Sequence, residues 1–269
     1  MVILDGQELA DFMKERQGKQ VRVLRQAHGI MPKLLILRDS NNPVIDVYVK
    51  KKIAYGADIL IDVEDRIVST SELKSEIQVA NKDVNISGMI LQLPILEKDL
   101  TDDITAEISP EKDVDGLGLG KKMDSATAMA INWLLAGYDV DLDGKKIAII
   151  GYGKLVGRPL EKMWLGSGYD VTVFRSKDNN DLARELPKYD VIVTATGKAG
   201  LITSDMVKPG AVVVDAGTTS EHGSIKGDVS EELRARGDVS ITPKVGGVGP
   251  LTITALFDNV IRAASNSKS

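Results

Sequence analysis

Short apolar runs recur along the whole chain, separated by segments with other patterns. They predict buried strands at residues 33–37, 59–63, 88–93, 146–150, 171–174, 191–195, 212–215 and 239–241. Apolar residues at helical spacing predict helices at residues 5–17, 70–80, 101–108, 126–135 and 251–264. In the first of these, Leu9, Phe12 and Met13 define the apolar face. Because strands and helices alternate, we expect an α/β fold with mostly parallel sheets.

The segment after Asn42 has two competing interpretations. Its β-branched residues favour a strand by propensity. Asn42 and Pro43, however, suit an N-cap and a first helical residue. Ile45, Val49 and Ile53 would then share one helical face. We predict a helix, because the cap and the apolar face agree.

A glycine-rich stretch divides the chain into two α/β halves. Gly116, Gly118 and Gly120 lie close together, and a new helical pattern starts at residue 126. We therefore predict one domain at residues 1–120 and a second at residues 121–250.

Composition and charge exclude several functional classes. The chain has 269 residues, 27% charged residues and no cysteine, so disulfides, thiolate metal sites and a thiol nucleophile are excluded. The lack of cysteine suits a reducing cytoplasm. A net charge of −5 argues against nucleic-acid binding. No run approaches the roughly 20 apolar residues of a membrane span, so we expect no membrane partner.

Only two histidines are present, His28 and His222. A zinc site built on several imidazoles is excluded, and we expect no metal. Proton transfer would then fall to lysine, tyrosine or carboxyl groups.

A glycine turn follows the predicted strand 146–150. The sequence Gly151-Tyr-Gly153-Lys-Leu-Val-Gly157 lies between this strand and a helix start, which is the context of a dinucleotide-binding motif. Glycine lets the backbone approach a pyrophosphate, and the helix N-terminus offers free N–H groups. The alternative is a strand–helix turn without a ligand.

The end of the next predicted strand bears on the identity of the cofactor. NAD sites usually have an acidic residue there, which binds the ribose hydroxyls. Here Arg175, Ser176 and Lys177 follow the strand. Two cations and a hydroxyl suit a 2′-phosphate, so we predict NADP. The alternative is a solvated basic turn.

Candidate chemistry in the first half is carried by Tyr48, Lys52, Gln92 and two nearby acids. Tyr48 and Lys52 lie four residues apart, one turn of the predicted helix. Gln92 ends a predicted buried strand, where α/β proteins bind ligands. Asp113 and Asp115 lie at the domain boundary. Each feature taken alone also fits an ordinary surface helix or turn.

These segments together resemble the bifunctional methylenetetrahydrofolate dehydrogenase/cyclohydrolase family. The similarity runs through almost the whole chain, in matching order and spacing. The matching segments are Ile3-Leu-Asp-Gly6, Tyr48-Val-Lys-Lys-Lys52, Gln92-Leu-Pro94, Pro110-Glu-Lys-Asp-Val-Asp-Gly116, Ala195-Thr-Gly-Lys198, Lys208-Pro-Gly-Ala211, Val214-Asp215, Gly227-Asp-Val229, Thr242-Pro243 and Gly246-Gly-Val-Gly-Pro-Leu-Thr252.

The resemblance implies an N-terminal α/β catalytic domain and a Rossmann-type NADP-binding domain. A C-terminal helix, residues 251–269, would return to the first domain. The family binds folate in a cleft between the domains and is typically a homodimer. The implied catalytic residues are Lys52, Gln92 and Asp115, and the implied substrate-binding residues are Tyr48, Gly247 and Pro250. The implied cofactor-binding residues are Gly151, Tyr152, Gly153, Gly157, Arg175, Ser176, Thr196 and Gly197.

The implied reactions belong to one-carbon metabolism. The first oxidises 5,10-methylenetetrahydrofolate to the methenyl compound with NADP, and the second hydrolyses that compound to 10-formyltetrahydrofolate. Like-charge repulsion from the methenyl cation and partial burial would lower the pKa of Lys52, which would then assist proton transfer. Three rivals are a dehydrogenase without cyclohydrolase activity, a non-catalytic NADP sensor and a shikimate-type dehydrogenase. The retained Lys52 and Gln92 disfavour them.

Three single positions and one four-residue segment depart from the family pattern. Ile45 stands where a serine is usual, and Tyr152 stands where an arginine often contacts the 2′-phosphate. Ser125-Ala-Thr127-Ala replaces a Pro-Cys-Thr-Pro segment, and Val245 replaces a proline. These changes leave open whether the protein prefers NADP or NAD, and what the balance of the two activities is.

Overall fold

The computed structural model describes residues 2–120, 122–176, 181–221 and 224–266. In chain order the strands are β1 (Val2–Ile3), β2 (Lys33–Arg38), β3 (Asp62–Ile67), β4 (Gly88–Leu91), β5 (Lys146–Ile150), β6 (Asp170–Phe174), β7 (Val191–Thr194), β8 (Val212–Asp215), β9 (Thr219–Glu221), β10 (Ser224–Lys226) and β11 (Ser240–Ile241). The α-helices are α1 (Gly6–His28), α2 (Pro43–Asp58), α3 (Leu73–Lys82), α4 (Thr101–Thr105), α5 (Ala126–Gly137), α6 (Gly157–Gly166), α7 (Leu182–Glu185), α8 (Glu231–Arg234) and α9 (Val248–Asn266).

The chain forms two compact units. The first unit comprises Asp11–Ala126 and Ile253–Ser269, and the second comprises Met1–Ala10 and Thr127–Thr252. These units differ from the predicted domains mainly at the first ten residues, because β1 pairs with β11 in the sheet of the second unit. A two-residue strand has no recognisable pattern of its own.

A parallel sheet of order β3-β2-β4 lies at the centre of the first unit. Residues 34–37 of the central strand β2 are apolar and buried, as expected for a parallel strand covered on both faces, and the strand ends at the buried Arg38. Its side chains pack with those of α3 and β4 in one apolar core. The final helix α9 adds its residues from Ile253 onward to this unit.

The prediction of a strand at residues 59–63 is wrong. Ile59 and Ile61 are buried, but Leu60 has a φ of 66° and the chain is still turning out of α2. The strand that forms, β3, has the largely polar sequence DVEDRI. It is the edge strand next to β2, where polar side chains stay partly solvated, so it carries no apolar run to identify it.

The first helix is longer than predicted, and its buried face is different. α1 extends to His28 rather than ending near residue 17, and Phe12, used to define the apolar face, is 75% exposed. Gln17 is fully buried, donates from Nε2 to the Thr254 carbonyl (2.9 Å) and accepts from the Tyr55 hydroxyl (2.8 Å). A satisfied polar residue at a core position therefore interrupts the apolar pattern.

The second unit contains a sheet of order β1-β11-β8-β7-β5-β6, and its strand pairs are parallel. From β5 the chain first adds β6 on one side and then β7 on the other. The carboxyl ends of β5 and β7 therefore form the switch point where such sheets bind ligands. The strands predicted in this half end within one residue of those observed. The short helices α7 and α8 and the β9–β10 hairpin were not predicted.

Among the described residues, no helix is both long and apolar enough to span a membrane. The same residues contain no cluster of three or more acidic or histidine side chains placed to hold a metal ion.

Candidate active site and cofactor turn

Helix α2 carries the candidate lysine and tyrosine. The Asn42 side chain caps the helix by accepting from the Val44 amide (2.9 Å), and Pro43 is the first helical residue, so the predicted helix is confirmed. Two of the three predicted core positions, at residues 45 and 49, are buried, whereas Ile53 is 38% exposed. Tyr48 and Lys52 lie one turn apart and are both partly buried.

The Lys52 amine is held by Gln92. Lys52 Nζ donates to Gln92 Oε1 at 2.6 Å, and Gln92 Nε2 donates to the Leu93 carbonyl at 3.0 Å. The second bond fixes which end of the amide faces the lysine. The backbone amide of Gln92 donates to the Leu37 carbonyl (2.8 Å), so the residue lies at the carboxyl edge of the sheet. The structure thus brings together two residues that are 40 positions apart in sequence.

Sequence reasoning missed Asp39, which anchors the loop that follows Gln92. Asp39 directly follows β2 and is buried. Its Oδ2 accepts from the Thr70 hydroxyl (2.7 Å) and from the Leu96 amide (2.9 Å), while its Oδ1 is buried with no hydrogen-bond partner in the described part of the chain. An acid next to a buried apolar strand was the available signal.

The two acids at residues 113 and 115 differ in their surroundings. Asp113 is buried and accepts from the amides of Gly116 (3.0 Å) and Gly118 (2.7 Å), so it shapes the turn. Burial raises the pKa of Asp115 to about 6; the Lys52 charge opposes this shift and the Asp113 charge adds to it.

Burial lowers the pKa of Lys52, and the Asp115 charge opposes that shift. An amine and a carboxyl group therefore influence one another, and both pKa values move toward neutrality. Groups of this kind can exchange protons near neutral pH, and perturbed pKa values of this origin are typical of functional sites.

The cofactor turn is defined by backbone packing. Gly151 has a φ of 101°, and a Cβ at this position would lie 2.5 Å from the Ala195 carbonyl oxygen. A Cβ at Gly157, the first residue of α6, would lie 2.1 Å from the Gly151 carbonyl oxygen. Around Gly153, in contrast, a Cβ would meet no atom of the described residues within 4 Å. The turn is thus closely packed at both ends and open in the middle, next to a helix N-terminus, which fits a phosphate group.

Tyr152 and Arg175 contact each other across this turn. The guanidinium carbon of Arg175 lies 3.8 Å from the centroid of the Tyr152 ring. Arg175 Nη2 also lies 3.8 Å from Oε1 of Glu161, a residue of α6 that sequence reasoning did not single out. Ser176 is exposed next to Arg175. Lys177 lies outside the described residues.

Thr196 and Gly197 form the loop after β7, and a buried carboxylate holds this loop. Asp228 accepts from the Thr194 hydroxyl (2.7 Å), the Thr196 amide (2.6 Å) and the Lys198 amide (2.9 Å). Gly197 has a φ of 67°. Asp228 was not predicted to have a role, because its partners lie about 30 residues away.

Gly247 and Pro250 lie in the second unit at the start of α9. A Cβ at Gly6 would lie 1.9 Å from the Gly247 carbonyl oxygen, and the Gly6 amide donates to the Gly246 carbonyl (2.8 Å). The glycine loop therefore packs directly on the backbone of the N-terminal segment. Pro250 lies in the first turn of α9, which begins at Val248.

Comparisons with known proteins agree with this architecture. Residues 4–115 match the family model described as tetrahydrofolate dehydrogenase/cyclohydrolase, catalytic domain. Residues 125–268 match the corresponding NAD(P)-binding domain.

Individual relatives match over nearly the whole chain. The bifunctional protein FolD of an Exiguobacterium species is 36% identical over 276 residues, covering 98% of this chain and 99% of that protein. The crystal structure of the bifunctional dehydrogenase/cyclohydrolase FolD of Campylobacter jejuni has a TM-score of 0.91 at 34% identity, with 99% of both chains covered. The Trypanosoma brucei enzyme, crystallised with NADP and an inhibitor, has a TM-score of 0.91 at 25% identity, covering 100% of this chain and 98% of that chain. The chain therefore belongs to the tetrahydrofolate dehydrogenase/cyclohydrolase family.

Proposed function

We propose that the protein oxidises 5,10-methylenetetrahydrofolate to 5,10-methenyltetrahydrofolate with NADP⁺ and hydrolyses the product to 10-formyltetrahydrofolate. The observation that carries this proposal is the hydrogen bond from the Lys52 amine to Gln92. The same amine interacts with the Asp115 charge, and the chain matches both domains of the family. A non-catalytic NADP sensor would not need an amine with a lowered pKa.

Four residues are proposed to position the substrate. In this proposal Tyr48 packs against the pterin, and Asp115 binds the polar edge of the pterin. Gly247 and Pro250 contribute a backbone surface for the substrate. The main contribution of these groups to the first reaction is alignment of the methylene carbon with its oxidant.

Bound NADP⁺ supplies the acceptor for the hydride that leaves the methylene carbon. The residues that would hold it surround the β5–β7 switch point. Gly151, Gly153 and Gly157 admit the phosphates at the start of α6, and Thr196 with Gly197 line the neighbouring loop. Arg175 and Ser176 bind the 2′-phosphate. The open space at Gly153, between two closely packed glycines, supports this assignment.

The second reaction begins when water attacks the methenyl carbon and forms a C–O bond. The neutral form of Lys52 accepts the proton that the water loses. A ring C–N bond then breaks as the carbinol C–O bond becomes the formyl C=O. The departing nitrogen keeps the bonding electron pair and takes the proton from Lys52, and the hydroxyl proton is released to solvent. Gln92 keeps the amine in position through its Oε1. Burial of Lys52 increases the fraction of neutral amine near physiological pH.

We also propose that the protein is a cytoplasmic homodimer, as the family resemblance implies. The absence of cysteine is compatible with a reducing compartment. Sedimentation equilibrium of the purified protein tests the dimer, and a single species of 29.0 kDa would contradict it.

The decisive experiment is a two-signal assay. Purified protein receives methylenetetrahydrofolate with NADP⁺ or NAD⁺, and the absorbances of the reduced nucleotide and of the methenyl compound are followed separately. We expect reduced nucleotide to appear while the methenyl signal stays low, because hydrolysis removes it. Methenyl accumulation in step with the reduced nucleotide would identify a dehydrogenase without cyclohydrolase activity. No reduction of either nucleotide would refute the proposed function.

A further inference from the structure

A carboxylate lies beside the arginine that is proposed to bind the 2′-phosphate. Tyr152, Glu161 and Arg175 form one cluster. The Arg175 guanidinium carbon is 3.8 Å from the Tyr152 ring centroid, and its Nη2 is 3.8 Å from Glu161 Oε1. A hydrogen bond with Glu161 is the main cause of a raised pKa for Tyr152. The tyrosine ring and hydroxyl thus contact both the cation and the anion.

The Glu161 side chain is partly buried, with 21% exposure, and that of Arg175 is 35% exposed. At this degree of exposure, solvent screens the interaction between the two charges substantially but not completely. Arg158 lies on the same ring, its guanidinium carbon 5.5 Å from the centroid, and its Nε donates to the Tyr152 carbonyl (3.2 Å). Two cations and one carboxylate therefore surround a single ring.

Sites for NADP and NAD differ in the charge that faces the adenosine ribose. An arginine suits the 2′-phosphate, whereas an acid suits the free hydroxyls of NAD. This chain places both kinds of group in one cluster, because α6 supplies Glu161 next to the arginine that follows β6. A 2′-phosphate bound to Arg175 would lie within one Debye length of the Glu161 carboxylate, so the two anions would repel.

We propose that Glu161 is a specificity-determining residue that lowers the preference for NADP⁺ over NAD⁺. This inference rests on the proposed function, since it concerns the cofactor of that same reaction. Glu161 weakens NADP⁺ binding through its charge. It leaves NAD⁺ almost unaffected, because NAD⁺ has no 2′-phosphate to be repelled.

Calorimetry tests this proposal by measuring the dissociation constants of NADP⁺ and NAD⁺ for the parent protein and for Glu161→Gln. The substitution keeps the side-chain length and removes the charge. We expect NADP⁺ to bind about threefold to tenfold more tightly, with NAD⁺ changed by less than about twofold. The gain should shrink as salt is added.

Two further variants make this experiment discriminating. Glu185→Gln is the matched control, because Glu185 belongs to the same unit but pairs with Lys188 (2.7 Å), and its NADP⁺ affinity should not change. Glu161→Ala removes the acceptor as well as the charge and should shift NADP⁺ affinity in the same direction as Glu161→Gln. Thermal melting of each variant confirms that it is folded.

The outcomes separate the two proposals. Weaker NADP⁺ binding in Glu161→Gln would show that the carboxylate positions Arg175, and equal changes for both nucleotides would show a purely structural role. Either result, or no change at all, overturns the inference and leaves the proposed function intact. A parent protein that binds neither nucleotide would refute both.

Discussion

The site around Lys52 and the cofactor turn around Gly153 are built by opposite means. Around Lys52, partly buried side chains from α2, from the residue that follows β4 and from the 113–118 turn interact, and burial shifts the pKa values of Lys52 and Asp115. Around Gly153, the shape comes from glycine backbone packed against backbone, and the nearby charged side chains of Arg175 and Glu161 are 35% and 21% exposed. Protons can be exchanged near neutral pH where water has been partly removed, whereas a phosphate is bound where the backbone leaves room at the N-terminus of a helix.

The first prediction tests the side-chain site and has the largest expected effect. Lys52→Met should reduce methenyl hydrolysis by about 10²–10⁴-fold, because proton transfer loses its base. The affinity for NADP⁺, held by the other unit, should stay within about twofold. Lys51→Met removes an exposed amine from the adjacent position and should leave hydrolysis unchanged. Stopped-flow absorbance of the methenyl compound measures the rate, and near-normal hydrolysis in Lys52→Met would rule out the proposed role.

The pH profile of the same reaction gives a second readout. Since burial lowers the pKa of Lys52 from 10.5, the hydrolysis rate of the parent should rise with pH well below that value. The Lys52→Met protein should lack this inflection.

The second prediction tests the backbone-built turn with two glycines. In Gly157→Ala the new methyl group would lie 2.1 Å from the Gly151 carbonyl oxygen, so the backbone must shift. We expect a loss of about 1–3 kcal/mol in the free energy of unfolding. Gly153→Ala adds its methyl group to open space and should change that free energy by less than about 0.5 kcal/mol.

Both glycine variants should bind NADP⁺ more weakly, but for different reasons. Gly157→Ala distorts the turn, whereas Gly153→Ala fills the space proposed for a phosphate. Urea denaturation and nucleotide titration measure the two properties separately. Unimpaired NADP⁺ binding by Gly153→Ala would show that no phosphate approaches there.

The third prediction uses the raised pKa of Asp115. Folding raises this pKa from 3.8 to about 6, so the carboxyl group is easier to bury protonated. Its contribution to stability is therefore present below pH 4 and is lost as the pH rises through about 6. Asp115→Asn cannot ionise, and relative to the parent it should gain about 2 kcal/mol of unfolding free energy between pH 4 and pH 8.

Asp99→Asn, which changes an exposed carboxyl group of the same unit, is the control. Denaturant midpoints at both pH values measure the difference for each variant. If Asp115→Asn and the control show the same pH dependence, burial does not destabilise the ionised form of Asp115. The Lys52 site would then not owe its raised carboxyl pKa to burial.

The fourth prediction has the smallest expected effect and concerns Arg175. A charge-assisted hydrogen bond contributes roughly 1.5–3 kcal/mol, and Arg175→Ala should weaken NADP⁺ binding by about tenfold. NAD⁺ affinity should hardly change. Arg184→Ala, at an exposed position of α7, is the control. Equal losses for both nucleotides would mean that Arg175 supports the turn rather than the 2′-phosphate.

The accuracy of sequence prediction also differed between the two units. In the second unit, strands such as β5 and β8 were predicted to the residue, because central parallel strands are continuous apolar runs between turn signals. In the first unit, β3 was missed and α1 was given the wrong apolar face. Both errors arise at polar residues whose surroundings depend on distant parts of the chain.

The same distinction holds at the sites. Local sequence was sufficient to predict that Lys52 lies one helical turn from Tyr48 and that Gly151 and Gly157 flank a strand–helix turn. It did not contain the contact of Glu161 with Arg175 or the support given by Asp39 and Asp228, whose partners come from other elements.

By itself the sequence determined the α/β alternation, the helix after Asn42 and the glycine turn after β5, because apolar periodicity, capping and backbone freedom are local properties. Only the tertiary structure decided that Gln17 is buried, that the Gln92 side chain accepts from the Lys52 amine and that burial raises the pKa of Asp115. The physical reason is that the free energy of a buried polar or charged group is set by its partners and by the water it loses. Both are supplied by residues far away along the chain.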